Sequence, residues 1–275
     1  MGAISRDASS AGMAWAIEAN LNATFSLLDR APSTQLHDDD PDLRWYISAK
    51  VPYPLFNHVY FTRLPQEEDV DARIEELTQH FASHQLPLMW SVGPFSRPSA
   101  LGSHLESHGL RCVEESPGMA LDLKALNEDI SFPSELAIER VSNAEVLSEF
   151  VEVMRVGFEM PEFTGAALFE QFNAMGLTDK SPWRNYVGRL DGEVVTTASL
   201  ALVVGVAGIY NVVTLPKARR RGFGSAMTFA ALREARELGY RIGILQSSAE
   251  GLGVYRRLGF EQYSTYYLYV GTGQE

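Results

Sequence analysis

Apolar positions along the chain fall into short runs and spaced stripes that alternate between strand-like and helix-like periods. Residues 45–63 (WYISAKVPYPLFNHVYFTR) are aromatic and β-prone, interrupted by Pro52 and Pro54. Ile74, Leu77 and Phe81 recur at helical spacing and predict an amphipathic helix over Gln66–Phe81. Leu88–Val92 reads as a buried strand, Ser99–His108 as a short helix stopped by Gly109, and Met119–Leu123 as another strand. Polar, turn-rich Arg30–Asp42 predicts an exposed loop.

Lys124–Glu135 (KALNEDISFPSE) breaks the pattern and reads as a linker. Beyond it come a strand over Leu136–Arg140, a helix capped at Ser142-Asn143 and running to about Gly157, and a helix over Gly165–Met175. Asn185–Leu190 and Val194–Val203 form a hairpin across Asp191-Gly192, followed by a strand at Ala207–Thr214. A long helix over Gly222–Leu238, a strand at Arg241–Gln246, a helix at Leu252–Leu258 and a strand at Tyr263–Val270 complete the series. The expectation is an α/β chain of two domains, 1–130 and 131–275.

One run tests this reading. Val194–Leu215 holds 22 residues without a charge, which is spanning length. It also holds Thr196, Thr197, Ser199, Asn211 and Thr214, with Gly205 and Gly208 near its middle. Two buried strands around a glycine turn explain it better than a membrane span.

Charge divides the chain unevenly. Residues 1–130 carry 9 Lys/Arg against 19 Asp/Glu, and residues 131–275 carry 14 against 16, for a total of −12. That field repels phosphate backbones and argues against a nucleic-acid partner. The lone Cys112 permits no internal disulfide, which fits a reducing cytoplasm. The first twenty residues lack the apolar core of a signal peptide, and Arg6 stands where a Met-Gly myristoylation motif wants Ser or Thr.

The chemistry concentrates in one segment, Val212-Val213-Thr214-Leu215-Pro216-Lys217-Ala218-Arg219-Arg220-Arg221-Gly222-Phe223-Gly224-Ser225-Ala226. A strand ends, three arginines follow, and two glycines open a helix. The first N–H groups of a helix lack internal partners and carry the positive end of its dipole. Gly222 and Gly224 let a phosphate approach the backbone, and the arginines add charge, so a diphosphate is the natural guest. An ordinary basic loop before a helix is the plainer alternative. A P-loop is excluded by the missing Lys-Ser/Thr, and a dinucleotide fingerprint by Met227 at the third glycine position.

Val212–Phe260 resembles the GNAT superfamily of acyl-CoA-dependent N-acyltransferases. The Gln/Arg-x-x-Gly-x-Gly/Ala motif of that family matches Arg219, Gly222 and Gly224. Its tyrosine shortly before Leu-Gly-Phe matches Tyr255, ahead of Leu258-Gly259-Phe260. The resemblance covers about residues 136–270 and implies a mixed, mostly antiparallel central sheet flanked by helices. It also implies acetyl-CoA as co-substrate, gripped by Val212, Val213, Thr214, Arg219, Arg220, Arg221, Gly222, Phe223, Gly224 and Ser225, with no metal. The N–H of Val213 or a neighbour would polarise the thioester carbonyl, and Tyr255 would protonate the departing thiolate. The acceptor would be an amine of a small molecule or protein. Glu250, Glu159 and Glu162 are candidate bases, each also readable as a solvated carboxylate.

Leu101–Leu110 and Met119–Leu123 echo the last helix, glycine stop and final strand of that family, without the arginine-glycine turn or the tyrosine. The first half therefore reads as a degenerate GNAT-like domain in tandem with a catalytic one. His80/His84 and His104/His108 have helical spacing that suits a metal, but lack a carboxylate at motif spacing, so surface or capping roles are expected. Cys112 reads as a buried structural thiol rather than an acyl carrier. Besides the acyltransferase, a non-catalytic acyl-CoA-binding module and another CoA-dependent reaction on the same fold remain open.

Overall fold

The computed structural model describes residues 4–64 and 69–271. Met1-Gly2 and the Gln66–Glu68 start expected for the first amphipathic helix lie outside them. In chain order the elements are α1 (Ser10–Phe25), β1 (Gln35–His37), β2 (Leu43–Ile47), β3 (Asn57–Thr62), α2 (Val70–Ser83), β4 (Leu88–Val92), α3 (Leu101–Ser107) and β5 (Arg111–Asp122). Then follow β6 (Ala137–Arg140), α4 (Ala144–Gly157), α5 (Thr164–Met175), β7 (Trp183–Leu190), β8 (Glu193–Val203) and β9 (Val206–Thr214). Last come α6 (Phe223–Glu237), β10 (Ile242–Gln246), α7 (Leu252–Leu258) and β11 (Glu261–Gly271).

Two compact units are built from these, and neither is continuous in sequence. One comprises Met1–Thr24 with Gly118–Tyr263, the other Phe25–Pro117 with Ser264–Glu275. In the first, the strand order is β5-β10-β9-β8-β7-β6, antiparallel throughout except for the parallel pair β9/β10. In the second, β1, β2, β3, β4 and β11 follow one another, with β3/β4 the parallel pair. A parallel pair needs a crossover, and each has one: α6 joins β9 to β10, and α2 joins β3 to β4. Seven-residue helices, α7 and α3, follow those parallel pairs, each stopped by a left-handed glycine, Gly259 (φ 104°) and Gly109 (φ 84°). The sheets are thus mixed and mostly antiparallel, and a run of three strands, helix, strand, helix and strand occurs twice along the chain.

Local chemistry fixes one helix start and two tight turns. Asn143 caps α4, its side chain accepting from the Val146 N–H at 2.9 Å. Asp191 and Gly192, both at positive φ, make the tight β7–β8 turn. The uncharged run falls on β8 and β9, its turn at Val204-Gly205. Among the described residues no helix is long and apolar enough to cross a membrane.

Three elements depart from the expected pattern, one of them the strand expected at Met119–Leu123, which begins eight residues earlier as β5. The loop at 30–42 contains the short β1, fixed by pairing with β2. Helix α1 has no apolar stripe to announce it, because Gly12, Glu18, Asn20 and Thr24 are among its buried positions. Asn20, fully buried, donates from Nδ2 to the Val206 carbonyl at 2.9 Å and accepts the Tyr210 hydroxyl at 2.8 Å.

The second unit carries a pH-sensitive core. His58 is buried, with Nε2 at 2.7 Å from Ser91 Oγ, and burial lowers its pKa to about 3. An unfolded histidine titrates near 6.5, so between those values the unfolded chain binds more protons and stability falls as pH drops. We expect unfolding free energy to fall by up to about 1.4 kcal/mol per pH unit below 6.5 through this group alone. Denaturant titrations at pH 7 and 5 check this: H58Q should flatten the slope, and an unchanged slope would remove His58 as its cause.

Candidate functional site

The first unit contains a gap that the strand register creates. β10 pairs with β9 only at Gly243/Ala207 and Ile244/Gly208, although β9 continues to Thr214. Beyond Gly208 the two strands separate, and the end of β9 presents an edge with no strand on that side among the described residues.

That edge is also bent. Thr197 pairs with Val213 and Ser199 with Tyr210, so β9 carries one residue more than β8 there. Asn211 takes up the excess at φ 52°. Side chains hold the bulge: Thr197 Oγ1 donates to the Asn211 carbonyl at 2.8 Å, and Asn211 Nδ2 donates to Ser199 Oγ at 3.0 Å. Ser199 Oγ and Trp183 Nε1 both donate to Asn185 Oδ1, at 2.7 and 2.8 Å. The bonding of Tyr210 to Asn20 extends this scaffold into α1. N20A should cost about 1–3 kcal/mol, the penalty of leaving buried polar partners unpaired, measurable by urea unfolding. A cost near zero would mean α1 does not hold the bulge.

The ladder decides which amides face the gap. The Leu215 N–H donates to Val195 O at 2.9 Å, which makes Thr214/Thr196 a non-hydrogen-bonded pair and Val213/Thr197 a bonded one. The N–H of Val213 therefore points at β8, and those of Val212 and Thr214 point into the gap. Of the expected oxyanion donor, "Val213 or a neighbour", the neighbours are aimed and Val213 itself is not. Its side chain is buried instead, close against the α-carbon of Gly157, where a Cβ would lie 2.3 Å from Cγ2.

A cavity of about 350 Å³ opens at this edge, lined by Val212, Val213, Thr214, Arg219, Gly224 and Tyr255, with Gly157, Phe158, Ser248, Glu250, Gly251 and Val254 completing it. Residues separated by some forty positions in sequence thus converge. Arg219 is tied down at the rim, Nε donating to Thr214 O at 3.0 Å and a terminal nitrogen to Gly157 O at 3.4 Å.

Helix α6 begins beside it. Gly222 sits at φ 81°, a left-handed conformation costly for other residues. The first intrahelical bond runs from the Ala226 N–H to Gly222 O at 3.0 Å. The N–H groups of Phe223, Gly224 and Ser225 precede it and have no helical partner. Gly224 leaves space toward the cavity, since a Cβ there would find only Val212 Cγ1 at 3.7 Å and Thr214 Oγ1 at 4.0 Å.

The three arginines are not equivalent. Arg220 is exposed at φ 63°. Arg221 pairs with Glu135 at 3.2 Å and lies over the Phe223 ring at 4.8 Å. Phe223 is buried against Val195 and Ala218, so its side chain anchors the turn and only its backbone faces a ligand.

Tyr255, on α7, is half-buried, its ring edge-on to Phe260 at 6.0 Å. Burial pushes its hydroxyl up to about 12. Gly251 makes room for the ring, since a Cβ there would stand 2.9 Å from Tyr255 Cε2. Of the candidate bases, Glu250 lines the cavity, while Glu159 and Glu162 are exposed on the α4–α5 connection and do not.

Among the described residues the second unit shows no such gap. There β4 pairs with β3 only at His58/Met89 and Val59/Trp90, the same two-residue contact. The freed edge is occupied by its own chain: the Arg97 N–H donates to Thr62 O at 3.0 Å, and the Leu64 N–H to Arg97 O at 3.2 Å. In sequence, Glu67, Glu68 and Asp69 stand between β3 and α2, where the first unit has arginines.

Other candidates resolve differently. His104 Nδ1 and His108 Nε2 converge on Asp71 Oδ1 at 2.8 and 3.1 Å, a carboxylate from α2 that spacing could not reveal. His84 Nδ1 lies 2.8 Å from His80 O. Among the described residues no group of His, Cys, Asp or Glu is arranged to hold a metal. Cys112 is exposed, not buried as expected, because it falls on the solvent-facing start of β5.

A bulged strand, a parallel neighbour that leaves it after two pairs and a glycine-opened helix thus stand together in the first unit. Residues 147–260 match the acetyltransferase (GNAT) family. Among curated proteins no match to the chain is found. Among solved structures it is similar to a GCN5-related N-acetyltransferase from Kribbella flavida, at 22% identity over 94% of this chain and 96% of that one (TM-score 0.72). A GCN5-related N-acetyltransferase from Sphaerobacter thermophilus is 17% identical over 98% and 95% (TM-score 0.64). A tandem GNAT protein from the clavulanic acid biosynthesis pathway is 14% identical over 95% and 94% (TM-score 0.63). The tandem fold therefore extends over nearly the whole chain.

Proposed function

We propose that this protein transfers an acetyl group from acetyl-CoA directly to an amine, with the donor held in the gap beside β9. The observation that carries this is the convergence of the bulged edge, the α6 N-terminus and Tyr255 on one cavity. The diphosphate of the donor would accept hydrogen bonds from the N–H groups of Gly224 and Ser225, with Arg219 and Arg220 supplying charge. Its amide-bearing arm would pair with the unpartnered edge of β9. The thioester oxygen would then accept a hydrogen bond from the Val212 N–H, held rigid by the bulge network, as negative charge develops on it.

The amine attacks the thioester carbon, the tetrahedral intermediate collapses, and the C–S bond breaks. Tyr255 gives its proton to the departing sulfur, and its raised pKa keeps that proton in place throughout the neutral range. Glu250, directly or through water, takes the proton the amine loses. The acceptor is a small-molecule or protein amine, and the exposed lone thiol fits a reducing cytoplasm. A non-catalytic acyl-CoA-binding module would share the grip but would have no use for Tyr255 at the cavity.

Release of CoA thiol from acetyl-CoA across a panel of small and peptide amines tests the reading. Amine-dependent release supports it. Tight acetyl-CoA binding without release by any amine would favour the binding module.

A further inference from the structure

In a chain of net charge −12, a hollow of about 300 Å³ on the first unit is lined by Arg6, Lys124, Arg236 and Arg241, together with Gly239 and Tyr240. No carboxylate lines it. The four cations come from three separate stretches: the segment before α1, the turn after β5, and the end of α6 leading into β10. The first of these is held in place, the Ser5 N–H donating to Gly205 O at 3.0 Å and Ile4 Cδ1 lying 3.7 Å from where a Gly239 Cβ would stand.

Two of the cations are oriented from behind. Arg241 donates through Nε and a terminal nitrogen to Asp122 Oδ2 at 3.1 and 2.8 Å, and Arg236 pairs with Glu128. A guanidinium has five N–H donors, so these pairings leave donors free on both. Among the described residues neither Arg6 nor Lys124 makes an ion pair; Lys124 adds its field to that of Arg241 at Asp122. Two carboxylates thus stand against four cations, an excess of two positive charges around one concavity.

Basic residues near a helix C-terminus complement its dipole, and Arg236 at the end of α6 needs no other reason. Arg6 and Lys124 do not belong to that helix, and the two positive charges left over after Asp122 and Glu128 repel one another. A bound anion accounts for all four. We propose that this hollow is a binding site for a small phosphate-bearing anion, separate from the donor site. The phosphate oxygens would accept from the free guanidinium N–H groups and from the Lys124 ammonium. Helix α6, 15 residues long, separates this site from the glycine turn by about 22 Å at 1.5 Å per residue.

Inorganic pyrophosphate is the probe, titrated calorimetrically at constant ionic strength into the G224D protein, in which the α6 N-terminus is closed to phosphate. One bound pyrophosphate per chain is expected, weakened at least about tenfold by R6E and by K124E, and unaffected by K50E on the other unit. Citrate in a parallel arm separates phosphate recognition from attraction to any polyanion. No binding to G224D, equal loss in K50E, or citrate binding as tightly as pyrophosphate would each overturn the proposal. Because the readout is anion binding with the donor turn closed, failure here leaves the acetyl-transfer reading untouched, and failure of that reading leaves this one standing.

Discussion

Replacing Tyr255 by Phe is expected to lower kcat by about a hundredfold or more, the usual contribution of a positioned general acid, while KM for acetyl-CoA changes less than about threefold. The split follows from the geometry. The hydroxyl is the only part removed, and the ring keeps its contacts with Phe260 and its place over Gly251. On the proposed reading, donor affinity arises at the other end of the cavity, at Arg219 and the α6 N-terminus. A thiolate leaving without a proton is the step that slows. Steady-state kinetics checks this, and equal falls in kcat/KM and kcat would locate the loss in the transition state. An unchanged kcat would remove Tyr255 from the chemistry. With its pKa near 12, Tyr255 should impose no alkaline decline on kcat in the neutral and mildly alkaline range.

The second large effect is expected at Gly224. G224D places a carboxylate in the first turn of α6, where an acidic group favours the helix dipole and Gly-to-Asp raises helix propensity. Folding stability should therefore hold or rise slightly. The same carboxylate would occupy the phosphate position and repel it, so acetyl-CoA affinity should fall at least about thirtyfold, about 2 kcal/mol. Thermal unfolding and calorimetric titration separate the two effects. A stable variant with wild-type affinity would place the diphosphate elsewhere. G224A is a useful contrast, since the cavity side has room for a methyl group and Ala is one of the residues this motif admits.

Several elements of both units were legible because their signals are local. The strand over Leu88–Val92 and the helix over Leu252–Leu258 coincide with β4 and α7, and the Asn143 cap and the Asp191-Gly192 turn lie where their chemistry put them. The glycine-arginine turn was readable for the same reason, since a helix N-terminus is written in consecutive residues. What escaped depends on partners far away in sequence. Helix α1 is specified by Asn20 meeting carbonyls some 180 residues later, a polar contact that no apolar periodicity encodes. The bulge at Asn211 is set by Thr197 and Ser199 on the neighbouring strand, so the amides that face the gap could not be chosen from sequence.

Strand membership is equally non-local. The end of β5 pairs with β10, and the end of β11 pairs with β4, so each unit is completed by a strand lying far from its neighbour in the chain. The occlusion at Arg97 belongs to the same category. There the edge of β3 freed by β4 is already hydrogen-bonded by its own chain.

Tandem halves of opposite character follow from this. In the first unit the β9 edge is open and the turn beyond it basic; in the second the edge is filled and the following sequence acidic. The total of −12 therefore describes neither the donor turn nor the hollow at the far end of α6.

A single-turnover experiment with acetyl-labelled acetyl-CoA and an acceptor identified from the amine panel tests direct transfer most closely. Label should leave CoA and appear on the amine in one step, in one-to-one ratio with released thiol, with none retained on protein at any time. Label accumulating on the chain, at Cys112 or elsewhere, or remaining on CoA while the amine is bound, would contradict it.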